Sequence, residues 1–151
     1  MEIDGKAWKM LAALQANARL SLTELAQVAG LSVPAVSERL RRLEEAGVIR
    51  GYRAEVAADK LGYPLQALIG ITVPQPYKAT LLALLDEMPE VLECHHVTGQ
   101  DSYVFRLACR DVAHLEATLA RVNHLGETRT ALILSTPIPI RPLQPFALRA
   151  D

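Results

Sequence analysis

Residues 21–43 read Ser21-Leu22-Thr23-Glu24-Leu25-Ala26-Gln27-Val28-Ala29-Gly30-Leu31-Ser32-Val33-Pro34-Ala35-Val36-Ser37-Glu38-Arg39-Leu40-Arg41-Arg42-Leu43, and the N-terminal architecture follows from them. Ser21-Leu22-Thr23-Glu24 is a capping box: the serine side chain accepts from the Glu24 backbone, and Glu24 reaches back. Leu22, Leu25 and Ala26 then predict a short helix with those residues inward. Gly30 stops it, because glycine takes positive φ freely. Ser32 caps a second helix, and Pro34 sits in its first turn, where a missing N–H costs little. Val36, Leu40 and Leu43 fall on one face, and Gly47 closes the helix. Upstream, Trp8, Leu11, Ala12 and Leu14 recur at helical steps behind Asp4, which is placed to cap. Residues 5–46 thus read as helix, short helix, tight turn, helix. Val48 to Arg53 looks extended, and Asp59-Lys60-Leu61-Gly62 marks a linker.

The period then changes. Leu65 to Val73 reads as a strand, ended by Pro74-Gln75-Pro76. Leu81, Leu84, Leu85 and Met88 predict a helix stopped by Pro89. Val91 to Thr98 and Tyr103 to Cys109 read as strands around a turn at Gly99 to Ser102. Asp111 caps a helix with Val112, Leu115, Leu119 and Val122 inward, and Thr128 to Ser135 is a fourth strand. The order β-α-β-β-α-β is the split pattern of ferredoxin-like sheets. The expected fold class is α+β, an N-terminal helix-turn-helix domain joined to a C-terminal ferredoxin-like βαββαβ domain. The expected boundaries are 1–51 for the first domain, 52–64 for a linker, 65–136 for the second domain and 137–151 for a Pro-rich extended tail. Two helices cover only one face of four strands. The other face also carries apolar residues, with Leu68 on one parity and Ile69 and Ile71 on the other, which predicts a partner. In the tail, Ile138, Ile140, Leu143 and Phe146 alternate with prolines, as in an arm that packs on a neighbour.

Composition bounds the function. The chain has 151 residues, 50% hydrophobic and 22% charged, which excludes disorder for most of it. A net charge of −1 excludes a uniformly basic coat, although residues 1–53 carry a net +2 and residues 54–151 a net −3. Two cysteines are too few for a disulfide framework. No signal-like apolar core opens the chain, and Leu61 to Tyr77 is too interrupted to span a membrane. A cytoplasmic protein without membrane contact is expected. Cys94, His95 and His96, with Cys109 and His114 further on, could suggest a metal, but strand alternation leaves at most a pair per face. No metal and no cofactor are expected. No catalytic motif is present, so an enzyme is not expected.

The second helix of the pair has the features of a recognition helix, whose N-terminal side chains touch base edges while flanking basic groups hold phosphates. The candidate DNA-contacting set is Ser32, Val33, Pro34, Ala35, Ser37, Glu38, Arg39, Arg41, Arg42 and Arg50. Ser37 and Arg39 suit bases; Arg41, Arg42 and Arg50 suit phosphates. The competing reading is a three-helix packing unit with a solvated arginine face.

Ala18-Arg19-Leu20-Ser21, Glu24-Leu25-Ala26, Gly30-Leu31-Ser32, Arg39-Leu40-Arg41-Arg42-Leu43-Glu44 and Gly47-Val48-Ile49-Arg50-Gly51-Tyr52, with Glu93-Cys94-His95-His96-Val97-Thr98-Gly99 downstream, resemble the Lrp/AsnC family of bacterial and archaeal transcription regulators. The resemblance implies an N-terminal DNA-binding domain and a C-terminal domain that dimerises and often senses an amino acid, with dimers assembling further. Two positions depart from the family pattern. Ala7 stands where a second Asp is usual. In Gly99-Gln100-Asp101-Ser102-Tyr103, Ser102 takes the usual Asp position and the Asp comes one place earlier.

The expected function is a sequence-specific regulator that binds double-stranded DNA as a dimer or higher oligomer and responds to an amino acid or similar molecule. The candidate effector set is Thr98, Gly99, Gln100, Asp101, Ser102, Tyr103, Thr128 and Thr130. Gly99 admits a ligand close to the backbone, neighbouring N–H groups can hold a carboxylate, and Asp101 can accept from an ammonium. Thr128 and Thr130, on one parity of the last strand, add hydroxyls, as the resemblance also suggests. The alternatives are an effector-independent architectural DNA-binding protein, and a small-molecule-binding α/β module whose helical domain binds protein.

Overall fold

Asp4 opens the first helix, α1 (Gly5–Ala16): its carboxylate accepts from the Ala7 amide at 2.8 Å. The structure, a computed structural model, describes residues 3–145. It divides into two units, one formed by the chain up to Glu55 together with the segment that begins at Ile138, the other by Val56–Pro137.

In the helical unit, α1 buries Ala7, Met10 and Leu14. The expected face of Trp8, Leu11, Ala12 and Leu14 is therefore rotated: Trp8 and Leu11 are half-buried and Ala12 is exposed. Rotating a helix by one residue turns its inward stripe by about 100°, so spacing alone leaves the choice of stripe open. The capping box of α2 (Leu22–Ala29) forms as read, with the Ser21 amide donating to Glu24 Oε2 at 2.7 Å and the Glu24 amide donating to Ser21 Oγ at 3.2 Å. Its inward residues are Leu25, Ala26 and Ala29. Leu22 was expected inward but is 36% exposed; it is the first residue of the helix. Gly30 takes φ 62° and lets the Leu31 amide reach the Ala26 carbonyl at 3.0 Å. α3 (Val33–Glu45) follows at once, capped by Ser32, with Val36 and Leu43 buried against α1 and α2. Beyond it Ile49 packs on the same core. No strand is formed between Val48 and Arg53. Gln15 holds the returning tail by two bonds: its Nε2 donates to the Leu143 carbonyl at 3.0 Å, and the Leu143 amide donates to its Oε1 at 2.7 Å. Ile138 and Ile140 of that arm are exposed, and Phe146 lies outside the described residues.

The second unit opens with a 3₁₀ turn, Ala58–Leu61. β1 (Leu65–Thr72), α4 (Lys78–Asp86), β2 (Val91–His96), β3 (Tyr103–Cys109), α5 (Val112–Ala120) and β4 (Glu127–Leu132) follow. The sheet order is β2-β3-β1-β4, with every neighbouring pair antiparallel. Ile69 lies opposite Phe105 on one side and Thr130 on the other; Gly70 lies opposite Val104 and Arg129. Ala67, Ile69, Ile71, Phe105 and Leu107 pack with Leu81 and Leu85 of α4 and Leu115 of α5 into one core. The other parity has no helix over it, and Leu68 there is 42% exposed.

Asp111 caps α5 by accepting from the His114 amide at 2.7 Å. Val112, expected inward, is 64% exposed. The buried face of this helix is Leu115 and Thr118, continued by Val122. Phe105→Ala should therefore cost about 3–5 kcal/mol, and Val112→Ala should stay within about 0.5 kcal/mol of wild type. Urea unfolding followed by circular dichroism measures both, and equal costs would contradict this burial.

Candidate nucleic-acid interface

The buried pair Val36 and Leu43 sets which way α3 points. At about 100° per residue, Pro34, Glu38, Arg41 and Glu45 fall on the side facing away from that pair. The outward ridge is thus an acid–base mosaic in which Glu38 and Glu45 stand beside Arg41. Arg41 Nε donates to Glu38 Oε2 at 3.0 Å and its Nη2 to Glu38 Oε1 at 2.9 Å, while its Nη1 donates to Glu45. Arg42 Nε donates to Glu38 Oε1 at 2.8 Å. These bonds to Arg41 and then Arg42 hold the Glu38 carboxyl down at about 2. The same contacts, with Glu45, push Arg41 up.

Arg39 turns towards α1. Its Nη1 donates to Asp4 Oδ2 at 2.7 Å, so it is engaged with the α1 cap rather than with the outward ridge. The Ser32 hydroxyl also serves a cap, accepting from the Ala35 amide at 3.4 Å. Val33, Pro34 and Ser37 are exposed, and Ala35 is half-buried. Arg50 is exposed just past the helix. Tyr52 donates to Glu44 Oε1 at 2.7 Å; burial and this carboxylate push its phenol up to about 12.

In the sheet unit, the turn between β2 and β3 is tied to the end of β1. The Ser102 amide donates to the Ile71 carbonyl at 2.9 Å, and Ser102 Oγ accepts from the Val73 amide at 3.2 Å. Thr72 Oγ1 donates to the Gln100 carbonyl at 3.0 Å. Thr98, Gly99 and Gln100 are exposed, and Tyr103 is buried with its ring 5.0 Å from that of His96. Asp101 is paired with Arg129 in a partly buried ion pair. Its carboxylate lies over Gly70, where a Cβ would meet Asp101 Oδ2 at 2.5 Å. Gly70 and Arg129 face the side without helices.

Thr128 and Thr130 do not join this group. They lie opposite Ile71 and Ile69, on the helix-covered parity, and Thr128 Oγ1 donates to Asn123 Oδ1 at 2.9 Å. The expected convergence of Asp101 with both threonines is thereby corrected: within one chain they sit on opposite faces. Arg129, Gly70 and Glu45 lie in contact with the candidate residues and were absent from the candidate sets. The signal for Arg129 was available, since it sits between the two threonines and so must point the other way.

Cys94 and His96 share the helix-side parity and His95 the other, by their register with Phe105, Tyr103 and Val104. Among the described residues no three His, Cys, Asp or Glu side chains converge as for a metal. His114 is clasped between the Arg110 amide, which donates to its Nδ1 at 3.2 Å, and Glu90 Oε1, 3.0 Å from its Nε2. No helix among the described residues is long and apolar enough to cross a membrane.

A carboxyl whose folded value is depressed stabilises the fold above its unfolded value and loses that contribution as pH falls through the folded one. For Glu38 this window runs from 4.5 down to about 2. Thermal melts of wild type and Glu38→Gln should differ at pH 7 and converge across that window; a difference that persists at its acid end would contradict the ion-pair cause.

Residues 3–50 match a family model for a winged helix-turn-helix DNA-binding domain, and residues 66–143 match the Lrp/AsnC ligand binding domain. The HTH-type transcriptional regulator LrpA of Mycobacterium tuberculosis is 39% identical over 126 residues, which cover 82% of this chain and 84% of that one. The regulatory protein AsnC of Escherichia coli is 31% identical over 148 residues, covering 95% and 97%. The solved structure of a feast or famine regulatory protein of M. tuberculosis complexed with L-methionine aligns with a TM-score of 0.89 at 35% identity, covering 95% of this chain and 100% of that one. The chain belongs to the Lrp/AsnC family of transcription regulators.

Proposed function

We propose that this regulator binds duplex DNA as a two-fold dimer through α3, and that an amino acid at the β2–β3 turn modulates it. The observation that carries the first half is the capped α2–Gly30–α3 turn, with Ser37, Glu38, Arg41 and Arg42 on the side of α3 away from its core. A single recognition helix reads too few bases for an operator. A dimer presents two, with half-sites about 34 Å apart or a multiple of it.

The sheet face without helices is the surface on which a second copy fits. Leu68, Val104 and Ala131 form its apolar centre. Glu93–Arg106, 3.0 Å apart, lies beside that centre, and Asp101–Arg129 lies next to Gly70. Apolar side chains bordered by paired charges suit a protein interface, whose rim tolerates polar groups.

For the effector, the M. tuberculosis relative bound to L-methionine points to α-amino acids as the ligand class. An amino acid brings an ammonium and a carboxylate, and Asp101 with Arg129 offers the complementary pair. Binding would exchange one ion pair for two. Ser102 and Thr72, holding the turn to β1, keep the backbone in place for that exchange. The closed Asp101–Arg129 pair also supports a second reading, in which the turn stays shut and the protein acts on DNA without an effector.

Arg41→Ala should weaken binding to all duplexes alike and lower the salt slope by about 1. Fluorescence anisotropy over a KCl series reads this; an unchanged slope and affinity would remove Arg41 from the interface.

In a thermal-shift screen of the common amino acids, at least one should raise the melting temperature of the wild type. Asp101→Ala should abolish that rise while leaving the far-UV circular dichroism of the wild type in place. No stabilisation of the wild type by any amino acid would reject the sensor and favour the effector-independent reading.

A further inference from the structure

We propose that Glu38 is the base-reading residue of α3 and selects a cytosine in each half-site by accepting a hydrogen bond from its exocyclic amine. The inference rests on the DNA-binding reading above and names the chemistry of that same surface.

Glu38 occupies the ridge of α3 opposite Val36 and Leu43, where a groove-bound helix meets base edges. A carboxylate there is costly near phosphates unless it has a purpose or a counter-charge. This one has arginine counter-charges on both oxygens, but they do not fill it. Oε1 receives Arg41 Nη2 and Arg42 Nε, and Oε2 receives Arg41 Nε alone. A carboxylate has about four lone-pair sites, so three are taken and one, on Oε2, is left. The side chain is half-exposed, so that site is within reach of a ligand.

The arginines do two things for it. They keep Glu38 ionised, which makes it an acceptor and never a donor. They also fix its rotamer before DNA arrives, so less side-chain freedom is lost on binding. An acceptor-only group sorts the four bases. Guanine offers N7 and O6, both acceptors, and thymine offers O4 and a methyl group. Neither can donate to Glu38. Adenine offers N6–H₂, but its N7 acceptor stands beside it. Cytosine offers N4–H₂ with no neighbouring acceptor on the major-groove edge. The geometry thus favours cytosine, and Arg41, braced on its other side by Glu45, is left for the flanking phosphate.

The test uses the full-length protein and a randomised duplex library, followed by anisotropy on the selected sites. The wild type should select cytosine at one position of each half-site, with any other base there weakening binding about tenfold. Glu38→Gln keeps the length but both donates and accepts, so the cytosine preference at that position should be lost in favour of adenine, whose N6–H₂ and N7 match an amide. Glu38→Ala should give the same loss, and far-UV circular dichroism of both variants should match wild type. A cytosine preference that survives in both variants overturns the proposal. So does tighter binding of both variants to every sequence equally, with only the salt slope changed, because Glu38 would then merely tether Arg41 and Arg42. If the wild type selects DNA without that cytosine, the proposal alone fails; if it binds no duplex at low salt, the DNA-binding reading fails as well.

Discussion

Two helices lie across a four-stranded sheet whose other face they cannot reach, and each strand sorts its residues accordingly. On β1, Ala67, Ile69 and Ile71 go under the helices, while Leu68, Gly70 and Thr72 face away. On β3, Phe105 and Leu107 are covered, and Arg106 faces out with Glu93 beside it. A charged side chain at the centre of a sheet needs a counter-charge when part of its hydration is lost. The open face therefore carries ion pairs around a small apolar centre. Gly70 has a second consequence: with no side chain there, the Asp101 carboxylate can lie across β1 and reach Arg129 on β4. The proposed effector pair and the proposed dimer face are thus one surface. A ligand that opens Asp101–Arg129 changes the charges at the interface itself, and no long relay is needed to couple the two.

The helical unit obeys a similar constraint on a smaller scale. Burial of Val36 and Leu43 fixes the roll of α3 and so fixes what DNA would meet. What it would meet is close to neutral, since Glu38 and Glu45 balance Arg41 and Arg42. Affinity that does not depend on sequence grows with the number of phosphates neutralised. A helix whose arginines are already paired gives up some of that affinity. In exchange it holds a fixed pattern of donors and acceptors, which favours discrimination over tight non-specific binding.

Much of this architecture was legible in the chain because its signals are local. The capping box at Ser21 and Glu24, the turn at Gly30, the caps at Asp4, Ser32 and Asp111, and the strand–helix order each depend on residues within a few positions of one another. Where the reading erred, the deciding contact is distant or terminal. Leu22 and Val112 are both the first residues of their helices, where apolar character fits the periodic stripe but the side chain lies beyond the packed turn. The Arg39–Asp4 pair went unread because the two residues are 35 positions apart. Arg129 was missed because Asp101 is 28 positions away, and the two meet only where the β2–β3 turn lies over Gly70, opposite Arg129 on β4.

The β2–β3 turn shows why alternation fails at a bend. Carried backwards from Tyr103, which is buried on the helix side, the alternation of β3 would place Asp101 on that side too, with Thr128 and Thr130. The chain bends at Ser102 instead, and the bend is held by Ser102 itself, through its amide to Ile71 and its hydroxyl to Val73. The serine at the position where the family pattern has an aspartate is therefore a backbone tie. The carboxylate one place earlier is sent over Gly70 to the face without helices. Any ligand that met Asp101 there would also meet Arg129, so the shifted aspartate makes the proposed recognition group a charge pair, matched to a zwitterion rather than to a lone amine.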